Sequence, residues 1–171
     1  MKKTLAKHNF AEYFNHYINL VEDDEVLNVL QNNNNDIHKL FSLLEEPKGN
    51  YRYAKGKWSI KELLVHLIDT ERIFGYRALC IARNEKNDLP SFDHEEYVKN
   101  SNANERTLVD IAKEFDAVRK ATIALFENFT PKMLAASGSA NGNRLTVLAI
   151  GYLIVGHAKH HLTVLQENYL K

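Results

Sequence analysis

Long stretches of this chain run without glycine or proline and repeat their apolar residues every three or four positions, a spacing that specifies helices rather than strands. Seven glycines and three prolines are spread over 171 residues, so the breaks are few and easily placed. A first helical segment is predicted over about 20–45, striped by Leu27, Leu30, Ile37, Leu40, Phe41 and Leu44 and ended by Pro47 and Gly49. The asparagine run at 32–35 costs it a few tenths of a kcal/mol per residue relative to alanine, enough to allow a bend. A second runs over 59–83, where Ser59 and Glu62 read as a capping box. A third follows over 104–128. The fourth, over 144–169, is almost continuously apolar through Leu153, Ile154 and Val155 and should be the most buried. Pro131 begins a short turn or helix, 137–143 reads as a flexible loop, and 84–104 is long enough to cover a site. Four helices of roughly 25 residues describe an all-α four-helix bundle with a long crossover connection. The length suits a single domain over 1–171, with residues 1–18 a loosely packed N-terminal extension.

Lysine plus arginine and aspartate plus glutamate each number 22, and the isoelectric point is near 7.1. No global positive field exists to hold a polyanion, which disfavours nucleic acid as a partner. The single cysteine, Cys80, excludes an internal disulfide and fits a reducing compartment. No stretch approaches the ~18 uncharged apolar residues of a membrane span and no leader-like apolar region opens the chain. The expectation is a soluble cytoplasmic protein with no membrane partner.

Candidate chemistry lies in three histidines. His157 and His161 stand one helical turn apart on the fourth segment and would aim their imidazoles the same way. His66, on the second, would complete three protein ligands with an open position, the arrangement of catalytic zinc and related divalent metals. His66 shares a stripe with Glu62, Asp69, Thr70 and Arg77, at the border of the apolar face formed by Leu63, Leu67 and Phe74. Each histidine alone also fits a packed ring bonded to a backbone carbonyl. Gly156 lets another helix or a ligand approach the pair, and His160 projects away from His161 as an outer or surface residue. A metalloprotease would carry glutamate directly after the first histidine, where this chain has Ala158. Glu62 and Asp69 are therefore the candidate catalytic acid–base groups, although the cap explains Glu62 equally well. His8, His16, His38 and His94 lack partners at ligand spacing. His94 is either a lid residue or a solvated one, and the DHEEY run around it reads as a helix start. Arg72 and Arg77 fall near the expected pocket, but arginine on a helix is too common to indicate an anionic substrate by itself.

Two segments carry a family resemblance. KWSIKELLVHLIDTER at 57–72 resembles the second-helix signature of the DinB-like superfamily, in which tryptophan and serine precede a helix whose histidine binds metal. GHAKHH at 156–161 is similar to the fourth-helix signature of the same family. These are the damage-inducible four-helix metalloproteins, unrelated to the translesion polymerase that shares the name. The resemblance, over roughly 20–170, implies a bundle with a long crossover, often a homodimer, and a divalent metal, commonly zinc or nickel, on His66, His157 and His161. It also implies a choice of activities, since some relatives transfer low-molecular-weight thiols such as bacillithiol or use mycothiol in isomerisation, and others are described as metal-dependent hydrolases. The leading expectation is a transferase using a low-molecular-weight thiol and a small-molecule substrate. The alternatives are a hydrolase in which Asp69 or Glu62 assists proton transfer, and a non-catalytic metal-binding stress-response protein.

Overall fold

The computed structural model describes residues 10–170, so His8 and the first half of the expected N-terminal extension lie outside the described residues. Helices α1 (Asn15–Ile18), α2 (Val26–Leu43), α3 (Ile60–Ala82), α4 (His94–Lys99), α5 (Leu108–Glu127), α6 (Pro131–Ala135) and α7 (Val147–Asn168) are joined by turns and by one hairpin, β1 (Ser137–Ala140) and β2 (Asn143–Thr146). Helices α2, α3, α5 and α7 form the bundle. α2 packs on α5 and α7, and α3 packs on the same two. The sequence neighbours α2 and α3 therefore stand diagonally, and the bundle is not a simple up-and-down one. None of the described helices is long and apolar enough to cross a membrane.

The helix starts follow local chemistry. The Ser59 hydroxyl accepts from the Glu62 amide while the Glu62 carboxylate accepts from the Ser59 amide, at 3.1 and 2.7 Å, which makes the expected capping box. Thr107, Thr130 and Thr146 cap α5, α6 and α7, and Asp93 caps α4, so the DHEEY run is a helix start. The asparagine run leaves α2 unbroken, because Leu30, Ile37 and Leu40 are buried on one side of it and tertiary packing outweighs propensity. α7 is buried almost throughout its first half, as its composition predicts.

Two expectations for the stretch before the last helix are corrected. Residues 137–143, expected to be a flexible loop, belong to a paired antiparallel hairpin, and the last helix begins at Val147 rather than near 144. Asn141 and Gly142 both have positive φ, 51° and 69°, the two-residue turn whose twist matches a hairpin and which Asn-Gly favours. The described part of the 1–18 extension is packed: Ile18 is fully buried and Phe14 nearly so, α1 lies against α7, and the Ala11 amide donates to the Arg144 carbonyl of the hairpin.

The interior comprises two apolar clusters. One surrounds the first half of α7, through Val155, with Phe74 and Ala78 of α3; the other begins at Ala158 of α7 and takes Leu63 to Ile68 of α3. Between them lies a level of buried polar residues: Asn33, His66, Thr70, Glu71, Arg119 and His157.

Candidate metal centre

Helices α3 and α7 bring His66, His157 and His161 together. The Nε2 atom of His157 lies 3.1 Å from that of His66 and 3.2 Å from that of His161, and one ring nitrogen from each falls within 4.8 Å of the others. His66 and His157 are only 6% and 7% exposed. Gly156 is what brings α1 to this point. A Cβ there would sit 2.2 Å from the Tyr17 carbonyl oxygen, so the missing side chain allows the close approach that sets the Tyr17 ring edge-on to His157 and His160, at 5.4 and 5.6 Å. Trp58, just before α3, leans on His66 at 4.8 Å and lies parallel to His161 at 6.5 Å. Its indole N–H donates to Glu95, which fixes the ring.

Burial, and then the neighbouring rings, hold the three imidazoles neutral. Desolvation lowers His66 to about 4 and His161 to about 3, and pushes His157 well below the ordinary histidine value. Neutral rings whose Nε2 atoms face one another at hydrogen-bond distance cannot all be satisfied among themselves: one N–H serves at most its neighbours, and the remaining lone pairs converge. The Thr70 hydroxyl sits 3.5 Å from Nδ1 of His66, while Nδ1 of His161 is buried with no hydrogen-bond partner among the described residues. Three converging neutral nitrogen donors fit a divalent cation, which would satisfy all three lone pairs at once.

The cluster forms part of the wall of a cavity of about 580 Å³, within the range of small-molecule sites. Tyr17, Trp58, Phe74, Arg77, His94 and His160 are also in its wall, and no carboxylate is, among the described residues. The two expected acid–base groups are not brought there. Glu62 is held by its cap, by Asn104 and by a two-point pair with Arg52 at 2.5 and 2.9 Å. Asp69 is turned toward Arg72, 3.8 Å away, and burial raises its pKa. A shared stripe at 100° per residue spans too wide an arc to decide what a side chain faces, and these arginines settled it. Arg72 itself is taken by Glu114 at 2.5 Å. His94, on α4, does reach the cavity, with its ring 6.0 Å from His66 and 5.9 Å from Trp58, and His160 flanks it beside Tyr17. Sequence reasoning missed Tyr17, because it lies in the segment expected to be loose; the glycine directly before His157 was the signal that something packs there.

The family whose model matches is the DinB superfamily, over residues 29–165. By fold the chain is similar to YfiT from Bacillus subtilis, described as a probable metal-dependent hydrolase with an unusual four-helix bundle topology, at TM-score 0.75 and 14% identity over 83% of this chain and 82% of that one. It is also similar to the mycothiol-dependent maleylpyruvate isomerase, at TM-score 0.67 and 8% identity, over 80% of this chain but 58% of that one. A third likeness is to YjoA, a DinB-like protein of Bacillus subtilis, at TM-score 0.59 and 19% identity over 82% and 86% of the two chains. No curated protein matches.

Proposed function

The chain belongs to the DinB superfamily, and from that premise we propose that His66, His157 and His161 hold a divalent metal, zinc or nickel, in an enzyme that transfers a low-molecular-weight thiol to a small molecule. Bound there, such an ion would supply a Lewis acid able to lower the pKa of a thiol into the neutral range. Neutral imidazoles leave the ion's charge undiminished. Trp58 and Tyr17 line the cavity beside the histidines, and the Tyr17 hydroxyl, its pKa raised by burial, stays protonated and available to donate a hydrogen bond to a bound substrate. Phe74 and Phe92 give the cavity an apolar wall that holds an aliphatic or aromatic body away from water.

The observation that carries the choice of thiol is the absence of a carboxylate from the cavity wall among the described residues. A thiol needs only a lowered pKa to become a nucleophile, whereas hydrolysis ordinarily recruits a carboxylate base. The mycothiol dependence of the structurally similar isomerase supports the same reading. Hydrolysis is the second reading, supported by the description of YfiT; it would draw its proton acceptor from His94. A homodimer is part of the proposal, as the family resemblance implies, and light scattering on the purified chain reads it.

Metal content measured by mass spectrometry on protein purified without chelator should give about one zinc or nickel per chain, lost in His161→Ala. Metal-loaded protein should then bind a small thiol calorimetrically and turn over an electrophile only when thiol is added. Turnover without thiol selects hydrolysis, and an absence of metal after loading removes both readings.

A further inference from the structure

The bundle pairs four of its seven arginines with acids. Arg119 has Glu71, Arg52 has Glu62, Arg72 has Glu114, and Arg106 has Asp110 and Glu114. Of the three without an ion-pair partner among the described residues, Arg83 and Arg144 are exposed and Arg77 is buried. It is 7% exposed and lies in the wall of the metal-site cavity, yet it has no ion-pair partner among the described residues. Its hydrogen bond goes to the backbone carbonyl of Pro90, at 2.8 Å, and its guanidinium carbon lies 5.8 Å from the Phe74 ring centre. Asp88 is close enough to favour the charge, but its carboxylate accepts from the Ser139 hydroxyl and the Gly142 amide, which ties it to the hairpin. A buried cation with a neutral carbonyl as its hydrogen-bond acceptor is costly unless something negative joins it. A guanidinium presents five N–H donors in a planar fork suited to carboxylate or phosphate.

We propose that Arg77 is the anchor for an anionic group, a carboxylate or phosphate, on the small molecule that enters the metal-site cavity. The carboxylate-free wall repels no such group, and Phe74 joins the two ends of the site: its ring lies 6.4 Å from that of His157 and directly beneath Arg77. His66 and Arg77 are eleven positions apart on α3, roughly 16 Å of rise, which the lean of an arginine side chain toward the helix N-terminus shortens. A ligand with its reactive end at the histidines and its charge at Arg77 therefore needs a short apolar stem lying along Phe74. The assignment deepens the metal reading and rests on it for the reactive end of that ligand, while the anchor itself can be tested without metal.

Zinc-loaded and metal-free protein are titrated calorimetrically with hexanoate, hexyl phosphate and 1-hexanol. In both forms one of the anionic probes should bind about tenfold or more tightly than hexanol, with an affinity that falls as salt is added, and the better of the two identifies the group. Arg77→Met should abolish that preference and Arg77→Lys should retain part of it. No anion preference in the wild type, or one that survives in folded Arg77→Met, overturns the proposal. A preference that appears only with zinc and persists in Arg77→Met places the anion on the metal, which supports the metal reading and defeats this one. A preference in metal-free protein that Arg77→Met removes upholds the anchor even where no metal binds. If Arg77→Met does not fold, Arg77→Lys decides: an unchanged preference overturns the anchor and a weakened one supports it.

Discussion

Two groups of buried polar residues sit at the same level of the bundle, between its two apolar clusters, and they are finished differently. On the α2 and α5 side, Arg119 gives two hydrogen bonds to Glu71, both 2.8 Å, and two more to the Leu30 carbonyl and the Asn33 amide oxygen, while its guanidinium lies over Phe115. Its charge is balanced and four of its five N–H donors are used, while Nδ2 of Asn33 has no partner among the described residues. On the α7 side, three imidazoles turn their Nε2 atoms toward one another with no acid between them and an orphaned Nδ1 behind. Glu71 and His157 even share the walls of one gap too narrow for water. The difference teaches how to read a buried polar group. A cluster that closes on itself specifies how helices meet, and one that leaves lone pairs converging beside a cavity is what the proposed metal would complete.

The sharpest way to break this contrast is to open the closed cluster. Arg119→Met strands the Glu71 carboxylate in the interior and should cost about 3–5 kcal/mol of stability by urea denaturation. Adding Glu71→Leu should restore most of the loss, because an apolar pair of similar volume replaces a balanced ion pair at little cost. A single substitution that costs under about 1 kcal/mol would show the ion pair to be dispensable.

Acid should separate the two groups next. His66 and His161 have folded pKa values of about 4 and about 3, below the ordinary 6.5, with His157 depressed as well. Unfolded chains take up these protons near pH 6.5 while the folded state refuses them until much lower. The unfolded state thus binds more protons across that window, and metal-free stability falls as pH drops from about 6.5 toward 4, by roughly 3 kcal/mol from His66 alone. Urea unfolding of metal-free protein at a series of pH values reads the slope, and His66→Gln should flatten it. Zinc supplies the converse: at about a hundredfold over its dissociation constant it should stabilise the wild type by about 2.7 kcal/mol and His161→Ala by none. The Arg119→Met/Glu71→Leu protein should keep that increment, since its histidines are untouched.

How legible each cluster was follows from where its information lies. The pair His157 and His161 declares itself by a one-turn spacing within one helix, and His66 by the tryptophan, serine and capping box that open α3. Arg119 and Glu71 stand 48 positions apart on different helices; no local period links them. Asn33 was visible as a poor helix former, whereas its role is to accept from Arg119 across the bundle. Glu62 and Asp69 share a helical stripe with His66 but do not reach the cavity wall: Glu62 is paired with Arg52 and Asp69 lies beside Arg72, contacts that no spacing within α3 announces. The hairpin was legible in Asn141-Gly142 and escaped notice because glycine, serine and asparagine also compose mobile loops.

The smallest expected effects concern how the open cluster is kept from opening further, and two glycines on the facing helices test it. Gly156 of α7 holds α1 against the histidines, and an added Cβ would fall 2.2 Å from the Tyr17 carbonyl oxygen and 2.6 Å from its carbon. Backbone cannot yield as a flexible side chain can. Gly156→Ala should therefore push α1 outward, cost about 1–3 kcal/mol, and weaken zinc binding through the lost cover of Tyr17 on His157. Gly75 of α3 meets nothing within 4 Å of the same added atom. There an alanine only removes the entropy penalty of glycine within a helix, so Gly75→Ala should stabilise by about 0.5–1 kcal/mol and leave the metal affinity unchanged. Thermal unfolding and zinc titration of the two variants, side by side, separate helix propensity from packing at the site. Equal effects from both would mean that α1 is not what closes the histidine cluster on that side.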